Sequence, residues 1–189
     1  WKNGVEQPHL TDGEKSAIAY SIFVYNYNVY ICGREYNGSN YVAKWWKNGV
    51  EQPALTDGSN NARATSIFVY KGDVYVCGID GNYAKWWING EAQPNLPGGT
   101  VAHSIFVYNG DIYICGYGNN GLAYVAKWWK NGVEQPALTV GSNNAEAHSI
   151  FVYNNVVNIC GYESNGTKDV AKWWKNGVEQ PALTDGTND

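Results

Sequence analysis

The 189-residue sequence lacks the features of several common protein classes. No apolar run approaches the roughly 18 residues that a membrane-spanning helix needs, so membrane insertion is not expected. Charged residues make up only 16% of the chain and the net charge is −4, which disfavours nucleic acid as a partner because phosphate binding needs a basic surface. The four cysteines show no C-x-x-C spacing, and neither a phosphate-binding glycine loop nor an H-E-x-x-H motif occurs. We therefore expect no metal and no cofactor.

Methionine is also absent, and the sequence begins at Trp1, inside a motif that recurs later in the chain. Both features favour a processed protein whose secretion signal has been removed. An extracellular location is therefore expected.

The abundant residues, among them 9 Trp, 15 Tyr and 22 Gly, belong to an internal repeat. The string S-I-F-V-Y occurs at 21–25, 66–70, 104–108 and 149–153. Each copy is followed by Val/Ile-x-Val/Ile-Cys-Gly and then by A-K-W-W-x-N-G. Self-similarity at a period of 38 to 45 residues indicates a repeat architecture.

Each repeat predicts four short antiparallel strands. S-I-F-V-Y and V-Y-I-C are rich in β-branched and aromatic residues, and Asn-Gly pairs favour the primed hairpin turns. The third strand is Y-V-A-K-W-W, and the fourth is V-E-Q-P-A-L, whose proline cannot donate to a sheet and so predicts an edge strand. Four such strands are typical of a propeller blade. We predict an all-β fold, a four-bladed β-propeller of four-stranded antiparallel blades with an additional N-terminal half-blade hairpin arm.

The predicted boundaries follow the repeats. Residues 1–13 form a spare third- and fourth-strand arm, residues 14–183 form a single propeller domain, and residues 184–189 form a tail. The blades are expected at approximately 21–55, 66–96, 104–138 and 149–183.

The A-K-W-W-K-N-G-V core and the S-I-F-V-Y…V-Y-I-C-G-Y-E pattern resemble the bacterial extracellular propeller repeats that have Y/W-W-K-N-G cores and D-G-S/T-rich connections. The resemblance covers essentially the whole chain. It implies the propeller fold and a secreted bacterial protein, and it assigns no activity.

The arm repeats residues 174–186 with His9 in place of Ala182. Because the last blade already has an edge strand, the arm could complete a neighbouring molecule, belong to a longer array, or be a remnant of duplication. The first interpretation predicts a non-catalytic secreted structural propeller that self-assembles by strand or hairpin complementation into an extracellular fibre or matrix component, and so a homo-oligomer or homopolymer. The residues expected to carry this assembly are Trp1, Val5, Pro8, Leu10, Trp174, Val178, Pro181 and Leu183.

The alternative hypothesis is a multivalent carbohydrate-binding lectin. Length differences between the repeats fall in the second-to-third strand connection and in the blade-to-blade connection, which share one face of a propeller. Aromatic rings suit the apolar faces of sugars, so a glycan is the possible ligand. The candidates for this ligand face are Tyr20, Tyr36, Thr65, His103, Tyr117, His148 and Tyr162.

The remaining conspicuous residues are interpreted as structural. The cysteines take the same position in each second strand, too far apart for a disulfide, so we expect buried free thiols. The tryptophan pairs are expected to pack between blades. Arg34 and Arg63 depart from the repeat and are assigned to loops. No catalytic set of nucleophile, base and orienting residue emerges, so a non-enzyme is predicted.

Overall fold

The computed structural model describes residues 4–181 and residue 183. Sixteen strands form four antiparallel sheets of four strands each, and sheet neighbours are also neighbours in sequence. Within these residues there is no helix long and apolar enough to cross a membrane. The chain is therefore an all-β, four-bladed β-propeller, as predicted.

The strands of the four blades have the following bounds. Blade 1 contains β1 (Ala17–Tyr25), β2 (Asn28–Tyr36), β3 (Tyr41–Lys47) and β4 (Val50–Glu51). Blade 2 contains β5 (Ala62–Tyr70), β6 (Asp73–Asp80), β7 (Tyr83–Ile88) and β8 (Glu91–Ala92). Blade 3 contains β9 (Val101–Tyr108), β10 (Asp111–Asn119), β11 (Tyr124–Lys130) and β12 (Val133–Glu134). Blade 4 contains β13 (Ala145–Tyr153), β14 (Val156–Ser164), β15 (Asp169–Lys175) and β16 (Val178–Glu179).

The fourth strand is shorter than the sequence predicts. Gln52 N still donates to Trp45 O at 3.0 Å, but Pro53 has no N–H and ends the regular pairing, so β4 stops at Glu51. Leu55 N then donates to Ala43 O at 3.0 Å, which holds the chain beside β3 without making a strand. The proline therefore lies after the edge strand and not within it.

Three hydrophobic clusters fill the gaps between successive blades. The cluster between blades 1 and 2 packs Cys32 and Trp45 of the first against Ile67 and Trp87 of the second. Equivalent clusters join blades 2 and 3 and blades 3 and 4. The second tryptophan of every pair, at 46, 87, 129 and 174, is at most 1% exposed. The interblade position predicted for the tryptophan pairs is confirmed at the three internal junctions, and Trp46 and Trp173 lie at none of them.

No equivalent cluster joins blade 4 to blade 1 in the described part of the chain. The side of blade 1 that would receive a preceding blade exposes Ile22 at 64% and Val24 at 61%. The far side of blade 4 exposes Phe151 at 54%, and Cys160 is exposed as well. The prediction of four free thiols is confirmed, but burial holds only for three of them, because no described blade covers Cys160.

The innermost strand of each blade carries a bulge at a constant position. In β1 the register shifts between Ala19 and Ser21, so that Tyr20 is the extra residue. The extra residues of β5, β9 and β13 are Thr65, His103 and His148. A bulge re-aims a side chain and is common beside functional sites. In each blade, one candidate residue therefore lies outside the regular alternation of side chains between the two faces of the sheet.

The arm is described only from residue 4, so Trp1 lies outside the described residues. Gly4 has φ of 79°, the same turn conformation as Gly49 at 80°. Val5 and Pro8 are exposed and Leu10 is half-buried. At the other end of the chain Trp174 is 0% exposed, while Val178 and Leu183 are more than 60% exposed, and Pro181 is exposed too.

Candidate functional site

The loops of variable length meet at one end of the blades. Asn40 Nδ2 in the β2–β3 loop donates to Gly58 O in the loop between blades 1 and 2 at 3.1 Å. Asn120 Nδ2 donates to Gly141 O at 2.9 Å, as its repeat counterpart Asn37 does to Gly58 O at 3.4 Å. The strand ends that carry the candidate ligand residues lie at this same end of each blade.

Four of the candidate residues form a connected row of rings across blades 3 and 4. The ring centroids of His103 and His148 are 5.1 Å apart, and Tyr117 lies 5.6 Å from His103. Tyr162 stacks on His148 at 5.6 Å. The four residues come from β9, β10, β13 and β14, so the row spans the junction between the two blades.

Glu146 completes this row, and the sequence analysis missed it. His103 Nε2 lies 3.1 Å from Glu146 Oε2, and the Tyr162 hydroxyl donates to Glu146 Oε1 at 3.2 Å. Residues 18, 63 and 101 hold the same place in the other blades, and there the residues are Ile, Arg and Val. The carboxylate at this one position of the repeat was therefore the feature of the sequence that could have identified Glu146.

The surroundings of this row shift several pKa values. The hydrogen bond from His103 lowers the pKa of Glu146. Burial, assisted by the nearby His103, lowers the pKa of His148. Burial and then the Glu146 charge raise the pKa of Tyr162 to about 12, and the same two causes raise the pKa of Tyr117. At neutral pH the row holds one carboxylate and two phenolic hydroxyls.

A cleft of about 240 Å³ opens beside Tyr117, where blades 1 to 3 meet. Arg34 and Arg63 line it, together with Asn61 and Thr100. The two arginines lie in β2 and β5 and not in loops, which corrects the sequence interpretation.

The two arginines are only partly satisfied within the protein. The Nε atoms of Arg34 and Arg63 are buried and have no hydrogen-bond partner among the described residues. The Arg34 guanidinium lies 3.9 Å from the centre of the Tyr41 ring and 5.8 Å from that of Tyr20. A buried donor without a partner costs free energy, so an acceptor that reaches either Nε when the surrounding side chains move aside would be stabilising.

A second cleft, of about 270 Å³, lies on the other side of an aromatic pair. Tyr117 lines the first cleft and Tyr124 the second, and their ring centroids are 4.7 Å apart. Asn119 and Asn144 supply polar groups to the second cleft. The tyrosine pair thus contributes one ring to each cleft, and the two clefts together carry charged, aromatic and amide groups.

The other candidate residues are placed differently. Thr65 donates to Ala102 O at 2.6 Å and so ties blade 2 to blade 3. Tyr36 donates its hydroxyl hydrogen to Gly38 O, and its ring lies 5.4 Å from the Tyr41 ring. Tyr20 is 40% exposed in blade 1. The candidate residues therefore fall into three places. Tyr20 and Tyr36 lie in blade 1, Thr65 joins blade 2 to blade 3, and the other four form the row at blades 3 and 4.

The tryptophans do not offer the four equivalent sugar-stacking surfaces of a multivalent lectin. The first members of three pairs, Trp45, Trp86 and Trp128, are 7% to 8% exposed. Trp86 Nε1 and Trp128 Nε1 donate to the carbonyl oxygens of Pro94 and Pro136. Their rings are committed to packing between blades.

No family model matches the sequence, and no curated protein matches it. Among solved structures, the chain is similar to an α-L-arabinofuranosidase from Clostridium thermocellum at 14% identity and a TM-score of 0.47, over 88% of this chain and 72% of that one. It is also similar to a mutant β-fructofuranosidase from Bombyx mori in complex with sucrose, at 9% identity and a TM-score of 0.46, over 82% of this chain and 48% of that one.

These comparisons correct two predictions. Both matched proteins are glycoside hydrolases by name, which contradicts the prediction of a non-catalytic fibre or matrix component and the prediction of a non-enzyme. At these identities the likeness concerns the fold, and no activity or substrate is transferred to this chain. The extracellular location and the homo-oligomer stay predictions.

Proposed function

We propose that this chain binds an acidic oligosaccharide at the loop end of the propeller, in the cleft lined by Arg34 and Arg63. The observation that carries the proposal is that two arginines line one cleft and that the Nε donor of each has no partner among the described residues. A uronic acid carboxylate is planar and accepts two parallel hydrogen bonds, the pattern that a guanidinium offers.

The neighbouring groups support a sugar rather than a simple anion. Tyr117 and Tyr124 present rings beside the cleft, and aromatic faces pack well on the apolar C–H face of a pyranose. Asn61 in the first cleft and Asn119 and Asn144 in the second offer amide donors and acceptors for hydroxyl groups. A ligand of two or more sugar units fits two clefts that share one aromatic pair.

Overall charge argues against a long polyanion. The chain carries a net charge of −4, so its field does not attract a nucleic acid or a densely charged polymer. A single carboxylate held by two arginines needs only a local positive site. This restricts the proposal to saccharides with few acidic groups in contact with the protein.

Calorimetric titration of a galacturonic acid oligosaccharide, and of the same oligosaccharide as its methyl ester, tests the proposal. Esterification removes the charge while leaving the hydroxyl groups in place. A hydrogen bond to a charged group contributes about 1.5 to 3 kcal/mol, so we expect binding of the ester to be weaker by about tenfold or more. Mass spectrometry of the same samples shows whether the bound saccharide stays intact or is cleaved.

The matched variants are Arg63→Gln and Lys71→Gln. Arg63→Gln removes a guanidinium from the cleft, and we expect it to weaken binding of the acid by about tenfold while leaving binding of the ester unchanged. Lys71 lies in the turn between β5 and β6, at the opposite end of blade 2, and its replacement is expected to change neither. Equal binding of acid and ester by the wild-type protein contradicts the proposal.

A further inference from the structure

We propose that His103, Glu146 and His148 form a site for a divalent transition metal ion at the junction of blades 3 and 4. One nitrogen of each histidine and one carboxylate oxygen all lie within 4.8 Å of one another. Two imidazoles and a carboxylate are a ligand set that zinc binds, with the fourth position left for water or another ligand. The proposal is independent of saccharide binding, since the metal alone is its ligand.

The arrangement around Glu146 is that of a ligand oriented by an outer group. Oε2 points to His103 at 3.1 Å, while the Tyr162 hydroxyl holds Oε1 at 3.2 Å. Partners of this kind fix the orientation of a ligating carboxylate. The spacing of His103 Nε2 and Glu146 Oε2 is close to the separation of two ligands on one tetrahedral ion with bonds of about 2.0 to 2.1 Å.

Other carboxylates at the same end of the blades serve a different purpose. Glu35 forms an ion pair with Lys44, and Glu163 forms the corresponding pair with Lys172 at 3.4 Å. Glu146 instead faces two histidines and a tyrosine, and the exposed edge of His148 leaves one side open to solvent. A metal ion that enters from this side replaces the contact between His103 and Glu146 with three coordinate bonds.

The repeat places this ligand set at one interblade junction. The bulge position supplies Tyr20, Thr65, His103 and His148 in the four blades. Only between blades 3 and 4 do two histidines follow each other at this position, with the carboxylate beside the second one. Because β9 belongs to blade 3 and β13 to blade 4, a bound ion links the two blades.

Titration with cobalt(II) and zinc(II) tests this site. Tetrahedral coordination of cobalt(II) by nitrogen and oxygen ligands gives visible absorption bands, and zinc is expected to displace cobalt with one equivalent per chain. Zinc is also expected to raise the melting temperature, because an ion that binds only the folded state stabilises it.

The variants His103→Ala and Glu146→Gln are compared with His9→Ala, whose histidine lies in the arm. We expect the two site variants to lose the cobalt bands and the zinc-dependent rise in melting temperature, and the arm variant to keep both. Circular dichroism of the metal-free proteins shows whether each variant is folded. Cobalt bands that persist in folded His103→Ala, or that are absent from the wild-type protein, overturn the proposal.

The outer faces of blades 1 and 4, where Ile22 and Phe151 are exposed although Trp46 is buried, carry a second, separate inference: the geometry points to a second copy of this chain as the partner of these faces. At each internal junction a serine of one blade accepts a hydrogen bond from an isoleucine N–H of the next, as Ser21 does from Ile67 at 3.3 Å. Ser104 does the same for Ile150 at 3.4 Å. Ser149 on blade 4 and Ile22 on blade 1 are the unused halves of the same pair.

The apolar groups of the two faces match in the same way. Phenylalanine rings of successive blades lie 4.5 to 4.8 Å apart, ending at Phe151 on the exposed face of blade 4. Cys32 donates to Ala64 O at 3.6 Å in the next blade, whereas Cys160 faces outward. Packing blade 4 of one copy on blade 1 of another repeats an interface that each chain contains three times. It exchanges no strand between the copies.

Native mass spectrometry of the wild-type chain and of Ile22→Arg and Leu122→Arg tests this pairing. Leu122 is 91% exposed in a loop, which makes it the control for adding a charge to an exposed apolar residue. We expect oligomers from the wild-type and Leu122→Arg proteins and monomers from Ile22→Arg, with circular dichroism confirming that each is folded. A monomeric wild-type protein, or oligomers that persist in Ile22→Arg, overturn the proposal.

Discussion

Ile22 and Ile67 occupy the same place in two copies of one five-residue motif, yet Ile22 is 64% exposed and Ile67 is 3% exposed. The difference arises from what stands before each blade, since blade 1 precedes blade 2 and no described blade precedes blade 1. The exposed fraction of each isoleucine therefore depends on the neighbouring blade and not on its own strand.

This pair gives the first prediction. Ile67→Ala leaves a cavity between two blades, and we expect it to lower the free energy of unfolding by about 2 to 5 kcal/mol. Ile22→Ala removes a side chain that is mostly in water, and we expect a change of about 0.5 kcal/mol or less in the isolated chain. Urea denaturation of both variants at low protein concentration measures the difference. If the two variants lose similar amounts of unfolding free energy, the finding that this face of blade 1 is exposed is contradicted.

The second prediction concerns the thiols. Burial raises the pKa of Cys77 to about 12, and it also raises the pKa of Cys32 and Cys115 well above the ordinary value. Because the thiolate is the reactive form, these three are expected to resist alkylation at pH 8, while the exposed Cys160 reacts. Mass spectrometry after brief labelling of the monomer should find one modified cysteine per chain, and four after denaturation. Rapid labelling of Cys77 in the folded protein contradicts the packed interblade clusters.

The third prediction concerns the glycine opposite each bulge. A Cβ on Gly116 would lie 2.0 Å from the carbonyl oxygen of Val101, a contact that only a backbone shift can relieve. We expect Gly116→Ala to lower the free energy of unfolding by about 1 to 3 kcal/mol or more, as overpacking does. The comparison is Gly110→Ala, which meets no atom within 4 Å and pays only for its φ of 88°. Thermal denaturation of both variants shows which one is less stable. A Gly116→Ala protein that is more stable than the Gly110→Ala protein contradicts the bulge geometry.

The fourth prediction separates ring stacking from hydrogen bonding at the saccharide cleft. Tyr117→Phe keeps the ring beside Tyr124, and we expect it to retain the affinity for the acidic oligosaccharide. Tyr117→Leu removes the aromatic face, and a loss of about 0.5 to 1.5 kcal/mol, or up to about tenfold in affinity, is expected. Titration of both variants measures this. Equal affinities in the two variants place the sugar away from Tyr117.

Much of the fold follows from the sequence because near-identical repeats make the same local choices four times. The Asn-Gly turns predict the primed hairpins, and Asn48 and Gly49 indeed have φ of 52° and 80°. The length of β4 was overestimated because Pro53 was read as part of a strand that it ends. The exposure of Cys160 could not be predicted, since its own sequence context is that of the buried cysteines and only its neighbour differs.

The site was predicted less completely. The position before each S-I-F-V-Y string stands out in the sequence because it holds Tyr, Thr, His and His in four otherwise similar repeats, but the bulge at this position was not predicted. The contact between His103 and Glu146 joins residues 43 positions apart and depends on how one blade turns relative to the next. Arg34 and Arg63 were noticed as departures from the repeat, but the cleft that brings them together exists only once three blades are assembled.

A crystal structure of the chain with a bound galacturonic acid oligosaccharide tests the central claim most directly. We expect a carboxylate of the sugar within hydrogen-bond distance of the guanidinium groups of Arg34 and Arg63, with a sugar ring against Tyr117. A saccharide bound elsewhere on the propeller, or a cleft that stays free of it at saturating concentration, contradicts the account.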